Sequence, residues 1–580
     1  MITREKNTQI LISLLKAYGV RYVVASSGTT NVAFVGSIQG DSFFRVFSSV
    51  DERSAAYIAC GIAAETGEAV AISCTGATAS RNYLSGLTEA YYRKLPIIAI
   101  TSTQAVFKVG QLIPQVIDRS SIQKDVARYS TTLPIVKDED DVWECEIKIN
   151  TAMHELRRQG GGPVHINLPT KYDPLFDISA LPKYRIINRI TIDDEHPKLN
   201  GTVAVIIGSH KNWTNELSKA VEKFSLANKA PIFCDHTSGY RGKNRILSSL
   251  AASQTMFDLP SLKPNILIHI GEVSGDASMR PIVGGEVWRV SDDGLIRDTY
   301  RKLRYVFEMN EKAFFDYYSN NKTTEPANYY NLFNSYSNQI RQDIPQVPLS
   351  NIWLASKMAN RIPHGSTIHF GILNSLRSWN YFDLPESVSS YSNVGGFGID
   401  GCVSSLIGAS LTNPEKIFFG VVGDLAFFYD MNVIGNRHIG RNVRILLVNN
   451  GKGVEFDNYN HHGKLVLNEK VDLFVSGAGH FGSKSPTIVK HFSEDLGFNY
   501  FSAKTKEECL GIIPKFLNPS ISDKSMIFEV FTDSIEESNA LMLMQSIKSD
   551  NRGKAKNLIK KILGNKVTHQ LKRIVKKKAI

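Results

Sequence analysis

Short apolar runs alternate with helical patterns along about the first 540 residues of this chain. Runs such as Tyr22–Ala25, Val203–Ile207 and Thr367–Phe370 have the length of buried strands. Helical stretches such as Glu52–Ala64 and Thr78–Tyr92 lie between such runs. Strands that are joined through a helix pair in parallel, so the sequence predicts an α/β protein of doubly wound parallel sheets.

With 580 residues the chain is too long for one hydrophobic core. We predict three consecutive parallel-sheet domains, at residues 1–185, 186–345 and 346–545, followed by a tail at 546–580. Charges at helical spacing in Met1–Gly19, and the lack of a long apolar run, predict neither a signal peptide nor a membrane span. The six cysteines are scattered without metal-ligand spacing, so we expect reduced thiols and a cytoplasmic protein.

The net charge of +11 comes from the tail. Residues 551–580 contain eleven Lys and Arg and no Asp or Glu, and without them 56 Lys and Arg balance 56 Asp and Glu. Apolar residues from Leu558 to Val575 recur at three- and four-residue steps, which predicts a basic amphipathic helix. Such a helix suits peripheral contact with an anionic membrane, with packing on the protein or added solubility as the alternative. Nucleic acid binding is disfavoured, because the tail has no aromatic residues to stack bases.

Polar residues follow two apolar runs of the third block. Gly423-Asp424 comes after Ile417–Val422, and Asn449-Asn450-Gly451-Lys452-Gly453 comes after Ile445–Val448. The carboxyl ends of parallel strands share one edge of a sheet, where ligands bind in such folds. We therefore expect both polar segments to line one ligand site.

The residue types at this edge suit magnesium bound to a diphosphate. The Asp424 carboxylate, the Asn450 side-chain oxygen and a nearby backbone carbonyl are ligands of the kind that Mg²⁺ takes when it bridges phosphates. Backbone N–H groups at Gly423 and at the start of the next helix would contact the phosphates. The predicted metal residues are Asp424, Asn450 and Lys452.

These motifs resemble the cofactor motif of the thiamine diphosphate enzymes of the pyruvate-decarboxylase type, Gly-Asp followed after about 25 residues by Asn-Asn. The segment Val50-Asp51-Glu52-Arg53-Ser54-Ala55-Ala56 is similar to the part of that family that carries its activating glutamate. The resemblance implies a pyrimidine-binding, a central Rossmann-like and a diphosphate-binding domain, with thiamine diphosphate and Mg²⁺ as cofactors. It also implies a homodimer or homotetramer with active sites at the subunit interface. Some members hold FAD in the central domain, but no glycine fingerprint is present here, and we expect no FAD.

Within that group the chain most resembles the menaquinone-pathway synthases that join 2-oxoglutarate to isochorismate. The resemblance extends over residues 1–540, and the segments that carry it are Asp51–Ala55, Gln115–Asp118, Asp235–Arg241, Gly398–Gly401, Gly423–Leu425 and Asp430–Asn432. It implies that Glu52 hydrogen-bonds N1′ of the cofactor and that Ile399 supports the bend between the two cofactor rings. The cofactor-binding residues it implies are Gly28, Thr78, Gly398, Ile399, Gly423, Asp424, Leu425, Asn450, Gly453 and Phe456.

Several positions depart from the synthases. At three positions where the synthases have an arginine that binds the acceptor, this chain has Thr30, Gln104 and Val394. None of these side chains can replace a bidentate guanidinium. The Thr-Ser-Gly-Thr of the synthases reads Thr75-Gly76-Ala77-Thr78. One arginine, Arg377, matches the arginine that binds the carboxylates of the 2-oxo acid donor, although it also fits a surface ion pair. The predicted substrate residues are Gln115, Arg377, Thr30 and Gln104, and we do not expect the isochorismate reaction.

The expected function is decarboxylation of a 2-oxo acid and transfer of the remaining fragment to an acceptor carbon, a carboligase reaction. A non-oxidative decarboxylase that releases an aldehyde is the first alternative. A catalytically inactive scaffold of the same fold is the second, and the presence of Glu52, Asp424 and Asn450 disfavours it. The sequence does not specify the donor or the acceptor.

Overall fold

The computed structural model describes residues 1–119, 121–211, 213–254, 262–321, 328–472 and 474–548. They form two compact units, which we call the first and the second unit: Met1–Asp194 with Asp293–Glu308, and Glu195–Asp292 with the chain from Met309 onward. The predicted boundaries at 185/186 and 345/346 remain predictions. The tail predicted at 546–580 lies, from residue 549 onward, outside the described residues.

Strands and helices alternate along the described chain. The strands are β1 Tyr22–Ala25, β2 Arg45–Ser48, β3 Val70–Cys74, β4 Ile97–Thr103, β5 Tyr129–Thr132, β6 Val164–Pro169, β7 Asn188–Ile190, β8 Val203–Ile207, β9 Ile232–Cys234, β10 Arg245–Leu247, β11 Ile266–Ile270, β12 Glu286–Ser291, β13 Leu303–Glu308, β14 Thr367–Phe370, β15 Ser389–Ser392, β16 Phe418–Gly423, β17 Val443–Asn449, β18 Asn499–Ala503 and β19 Met526–Phe531.

The α-helices occupy most of the connections between strands. They are α1 Lys6–Ala17, α2 Val32–Ile38, α3 Glu52–Thr66, α4 Thr78–Asn82, α5 Leu84–Tyr92, α6 Glu139–Glu155, α7 Asn215–Asn228, α8 Ser249–Ala252, α9 Glu311–Asn320, α10 Tyr329–Gln342, α11 Asn351–Met358, α12 Asn374–Trp379, α13 Cys402–Ser410, α14 Asp424–Asp430, α15 His462–Leu467, α16 Ile488–Asp495, α17 Lys506–Phe516 and α18 Ser534–Gln545.

The first unit is built on a six-stranded parallel sheet with the order β2-β1-β3-β4-β6-β5. Its four central strands, β1, β3, β4 and β6, are largely buried on both faces, as their continuous apolar runs require, whereas the edge strands β2 and β5 are more exposed. In β4, Ile98 and Ile100 join the core that contains α1 and α6 residues, and Ile97 and Ala99 join the core of α3 and α5. The stretch predicted as one helix, Thr78–Tyr92, is two helices, α4 and α5, with a break at the fully buried Tyr83.

The second unit contains five parallel strands in the order β10-β9-β8-β11-β12 and a six-stranded parallel sheet in the order β15-β14-β16-β17-β19-β18. Counted within its own sheet, each six-stranded sheet has the order 2-1-3-4-6-5, so the two share one winding. The prediction of an α/β fold with three successive parallel sheets is confirmed.

The segment Asp235–Arg241 follows β9 and packs against the loops around α12 and β15 within the second unit. The backbone N–H of His236 donates to the side chain of Asn380 at 2.9 Å, and its Nε2 lies 2.9 Å from the Trp379 carbonyl oxygen. Burial lowers the pKa of His236 to about 3, so the ring is neutral at ordinary pH. Arg241 donates to the Val388 carbonyl at 2.8 Å. This motif therefore has a structural role in the second unit.

Among the described residues, no helix has both the length and the apolar character needed to cross a membrane. All six cysteines lie in the described residues, and each is buried and free.

Candidate active site

The third-block motifs meet at one sheet edge, which we call the second-unit edge: the carboxyl ends of β14, β16 and β17. Strand β16 pairs with β17 so that Gly423 lies opposite Val448. The chain then continues into Asp424, the first residue of α14, on one strand and into Asn449 and Asn450 on the other. The sequence prediction that these motifs lie together therefore agrees with the strand register.

Two oxygen acceptors at this edge are buried. Asp424 is 3% exposed, and burial raises the pKa of its carboxyl group to about 7. The side-chain oxygen of Asn450 is buried and has no hydrogen-bond partner in the part of the chain that the structure describes. A buried amide oxygen without a partner is costly unless a ligand satisfies it.

The chemistry of this set fits a hard divalent cation, since carboxylate, amide and carbonyl oxygens are the ligands of Mg²⁺. Within the described residues, no group of three or more His, Cys, Asp or Glu side chains is arranged to hold a metal. A cation at this edge would therefore depend on Asp424 together with neutral oxygens. The neighbouring Asn449 has both side-chain groups engaged, since its Nδ2 donates to Glu529 at 2.7 Å and its Oδ1 accepts from the Gly451 N–H at 3.2 Å.

The glycine-rich loop after β17 is held by ion pairs and a backbone hydrogen bond. The Lys452 ammonium lies 3.2 Å from Asp457 and 2.8 Å from Asp472. Of the predicted metal residues, Lys452 could therefore contribute only its backbone carbonyl. The backbone N–H of Gly453 donates to the Ser476 carbonyl at 2.6 Å. A Cβ on Gly453 would lie 3.0 Å from that carbonyl oxygen, so a side chain at this position would crowd the loop.

Four other predicted cofactor residues belong to the same part of the second unit. The Phe456 ring lies 3.2 Å from the position of a Cβ on Gly453. Leu425 follows Asp424 in α14 and lies 3.4 Å from the position of a Cβ on Gly477. Ile399 is partly buried and packs against the core of the third sheet, with Gly398 preceding it in the turn before α13.

The predicted donor-binding arginine already has a partner. One nitrogen of Arg377, in α12, contacts both carboxylate oxygens of Glu455, at 2.8 and 2.7 Å. Asn458 donates to the same carboxylate at 3.2 Å. Glu455 lies between Gly453 and Phe456 in the glycine-rich loop, and we had not singled it out from sequence. A substrate carboxylate would have to compete with Glu455 for Arg377.

The first-block motifs form a second group, at what we call the first-unit edge: the carboxyl ends of β1 to β4. Glu52 is the first residue of α3, and the preceding Asp51 caps that helix by accepting from the Arg53 N–H at 3.0 Å. Asn82, the last residue of α4, donates to the Glu52 carboxylate at 3.0 Å. In the single chain Glu52 is partly exposed, and burial of its carboxyl at a subunit interface remains a prediction.

The turns after β1, β3 and β4 touch one another. A Cβ on Gly28 would lie 2.5 Å from the Thr75 Cβ, so only glycine allows this approach. The Thr30 hydroxyl hydrogen-bonds to the Thr75 hydroxyl and lies 3.1 Å from the Ser102 carbonyl oxygen. Gln104 does not join this group, because its side-chain oxygen accepts from Lys108 at 2.8 Å.

The turn before α4 contains a strained residue. Ala77 has φ 57° and ψ −130°, a conformation that residues with a Cβ rarely adopt, and Thr78 then begins the helix. The synthases have glycine at this position of their Thr-Ser-Gly-Thr. Gln115 also has a positive φ, 63°, and its carbonyl oxygen lies 3.6 Å from the position of a Cβ on Gly76.

Arg119 was missed in the sequence analysis. It follows the segment Gln115–Asp118 and is 7% exposed, at the same edge as Gly76 and Gln115. In the sequence, Arg119 is marked only as a basic residue directly after the matched segment Gln115–Asp118. Its burial, however, is a tertiary property that the sequence does not display.

The two edges differ in what they can hold. The second-unit edge offers acceptor oxygens, Asp424 and Asn450, and can hold a cation together with a phosphate on its backbone N–H groups. The first-unit edge offers the Glu52 carboxylate beside Asn82 and, separately, the Arg119 cation. The first-unit edge thus offers a carboxylate and a guanidinium, and the second-unit edge offers oxygen acceptors.

The chain is similar to known proteins of one family. The family described as "Thiamine pyrophosphate enzyme, N-terminal TPP binding domain" matches residues 6–122. The chain is similar to proteins named 2-succinyl-5-enolpyruvyl-6-hydroxy-3-cyclohexene-1-carboxylate synthase. It is 30% identical over 566 residues to that of Phocaeicola vulgatus and 29% identical over 570 residues to that of Bacteroides fragilis, with 93% of this chain and 98% of each relative covered. The Flavobacterium johnsoniae protein is 25% identical over 564 residues, with the same coverage.

Proposed function

Because this chain belongs to the family of thiamine-diphosphate-dependent enzymes that contains the 2-succinyl-5-enolpyruvyl-6-hydroxy-3-cyclohexene-1-carboxylate synthases, we propose that it decarboxylates a 2-oxo acid and joins the remaining fragment to an acceptor carbon. Its cofactor is thiamine diphosphate, also called thiamine pyrophosphate, and the enzyme acts on carbon–carbon bonds. The Asn450 oxygen, buried beside Asp424 without a partner among the described residues, is the observation that carries the proposed cofactor site.

The residues of the second-unit edge would hold the charged end of the cofactor. Asp424 and Asn450 would bind Mg²⁺ through their side-chain oxygens, with the carbonyl of Lys452 as the third protein ligand. Mg²⁺ at this edge would favour the ionised form of Asp424, against the effect of burial on its pKa. The backbone at Gly423 and Gly453 carries no side chain that would block a diphosphate.

The residues of the first-unit edge would act on the aminopyrimidine. When bound, thiamine diphosphate supplies the nucleophilic carbon that attacks the 2-oxo carbon and the electron sink that allows CO₂ to leave. Glu52 would hold a proton at N1′ of the ring, and Asn82 would keep the Glu52 carboxylate in place through its 3.0 Å hydrogen bond. Gly28 and Thr78, at the turns beside Glu52, would contact the same ring.

A homodimer or homotetramer remains our proposal for the active assembly. Apolar side chains close to Glu52 in sequence are exposed in the single chain, namely Val50 at 84%, Tyr57 at 47% and Ile58 at 43%. Burial of these residues against a second copy would also remove water from Glu52. The cytoplasmic location, supported by six free cysteines, and the membrane or packing role of the tail are likewise proposals.

The donor remains to be identified, and the Arg377–Glu455 pair bears on it. Glu455 neutralises the one arginine that matches the donor-binding position of the synthases. We therefore propose that the preferred donor is a 2-oxo acid without a second carboxylate, because such a donor does not need to displace Glu455.

The test is CO₂ release by the full-length protein with thiamine diphosphate, Mg²⁺ and a panel of 2-oxo acids, each with and without candidate aldehyde and ketone acceptors. A carboligase gives a coupled product whose yield rises with acceptor. Free aldehyde in equal yield, with or without acceptor, would instead identify the decarboxylase alternative. No CO₂ from any donor would contradict both and support the inactive scaffold.

A further inference from the structure

Arg119 is a buried arginine whose charge is not compensated. It is 7% exposed, and its two terminal nitrogens, Nη1 and Nη2, have no hydrogen-bond partner among the described residues. Its own carbonyl oxygen accepts from Asn167 at 3.2 Å, which fixes the backbone at this position. A buried guanidinium without a partner destabilises a fold, so its retention here calls for an occupant.

The surroundings of Arg119 are positive. It lines a small pocket beside α4 and α5 with Ser80, Arg81, Tyr83, Thr101 and His165. Burial and the two arginines lower the pKa of His165 to about 3, so this histidine is neutral. Burial lowers the pKa of Arg119 itself to about 10, which leaves it protonated at neutral pH. A site with two cations and no bonded carboxylate in the described chain selects an anion.

Gly76 packs closely against this guanidinium. A Cβ at Gly76 would lie 3.6 Å from Arg119 Nη2, 3.6 Å from the Gln115 carbonyl oxygen and 3.1 Å from the Ser102 carbonyl oxygen. A ligand oxygen would therefore reach Arg119 through the small pocket, whose volume of about 10 Å³ admits about one water-sized group.

Arg444 shows what a structural buried arginine looks like in this protein. It is 1% exposed, and burial lowers its pKa to about 10, as for Arg119. However, its Nη1 donates to the carbonyls of Phe516 at 2.8 Å and Asn518 at 2.5 Å, and its Nη2 to that of Ser520 at 2.7 Å. Both arginines are buried, but they differ in whether their terminal nitrogens have hydrogen-bond partners. The fold satisfies both terminal nitrogens of Arg444 and leaves its Nε without a partner among the described residues, whereas nothing within the described chain satisfies either terminal nitrogen of Arg119.

We propose that Arg119 binds a carboxylate or phosphate oxyanion of a substrate and is a specificity-determining residue of this enzyme. Thr30, one of the positions where the synthases have an acceptor-binding arginine, contacts the same Ser102 carbonyl that borders Gly76. Arg119 supplies a cation to this edge from a different loop. That the oxyanion belongs to a substrate rests on the proposed carboligase function, whereas oxyanion binding itself does not.

Binding is measured by calorimetry on the full chain saturated with thiamine diphosphate and Mg²⁺, so that the diphosphate site is filled. The probes are inorganic phosphate and malonate, with uncharged malonamide as the control. We expect wild type to bind at least one oxyanion and not malonamide, and Arg119→Gln to weaken that binding about tenfold or more. Arg119→Lys should bind with an affinity between those of wild type and Arg119→Gln, because lysine keeps the positive charge but lacks the planar fork of N–H donors. Arg444→Gln should bind as wild type does.

A further measurement excludes a merely structural role. Without oxyanion, Arg119→Gln should melt no lower than wild type, because it removes an uncompensated charge, whereas Arg444→Gln should melt lower.

Wild type that binds neither oxyanion, or Arg119→Gln that binds them equally well, would overturn the site. A lower melting temperature for Arg119→Gln with unchanged binding would do so too, in favour of a structural arginine. CO₂ release by the same preparation tests the proposed reaction separately. Oxyanion binding without CO₂ release from any 2-oxo acid would refute the carboligase and leave the site standing.

Discussion

The first and third sheets share the strand order 2-1-3-4-6-5, yet the loops at their carboxyl edges carry different chemistry. After the third strand, one sheet has Thr75–Thr78 and the other has Gly423-Asp424. After the fourth strand, one has Gln104 and the other has Asn450. The first edge thus holds hydroxyls and an uncompensated arginine, whereas the second holds acceptor oxygens.

This contrast shows that the winding of a sheet sets where a ligand binds but not which charge it has. The common order brings the ends of the first, third and fourth strands together in both sheets. The sign of the charge that each edge can bind then depends on one or two residues just after each strand. The predictions below test this division, from the largest expected effect to the smallest.

Glu52→Gln should lower turnover by about 10²- to 10⁴-fold, because the proton at N1′ would no longer be exchanged with a carboxylate. Cofactor affinity should change little, since the second-unit edge is intact. The measurement is CO₂ release at saturating cofactor, with Glu65→Gln, an exposed carboxylate of the same helix, as the control. Activity within a few-fold of wild type would refute the role of Glu52.

Asp424→Ala should abolish the rise in melting temperature that thiamine diphosphate and Mg²⁺ give to the wild type, because the one carboxylate of the cation site is lost. The control is Asp430→Ala in the same helix. Asp430 is also buried, but it accepts from the Ser404 N–H at 2.5 Å and should affect stability without removing the cofactor shift. A normal shift in Asp424→Ala would exclude it as a ligand.

Glu455→Gln should lower the KM for a 2-oxo acid with a second carboxylate by up to about tenfold, because Arg377 becomes free to form a charge-assisted contact. Arg377→Ala should remove this gain in the double variant. Donors without a second carboxylate serve as the control, with KM values that hardly change. If Glu455→Gln has the same KM as wild type for both donor classes, Arg377 does not contact the substrate.

Ala77→Gly should raise the free energy of unfolding by about 1 kcal/mol, because glycine relieves the strained backbone at a cost in chain entropy that is smaller than the strain. The matched control, Ala79→Gly inside α4, should lower it by about 0.5–1 kcal/mol. Chemical denaturation measures both. Equal destabilisation by the two substitutions would mean that Ala77 is not strained.

Much of the fold was predictable from the sequence. Tyr22–Ala25, Val203–Ile207 and Thr367–Phe370 are strands with the predicted bounds, because each is a short apolar run between turn residues. The break at Tyr83 was not predicted, since the helical pattern continues through it. The common strand order was equally hidden, because it depends on which strands pair.

The candidate site was predictable only where motifs carried it. Asp424 and Asn450 follow strands, and the register of a parallel sheet brings them together. Arg119 and Glu455 could not be found in this way, because their significance lies in a missing partner within the described chain and in a formed pair with Arg377. Such pairing depends on loops that are distant in sequence.

The ion pairs of the loop after Asn450 also bear on how fast the cofactor would bind and dissociate. Lys452 connects Asp457 with Asp472, and Asp457 also accepts from Ser534 at the start of α18. Opening one contact leaves the others in place, so this loop moves only when several contacts break at once. We therefore expect cofactor exchange to be slow compared with turnover and to quicken with ionic strength, as screening weakens the ion pairs.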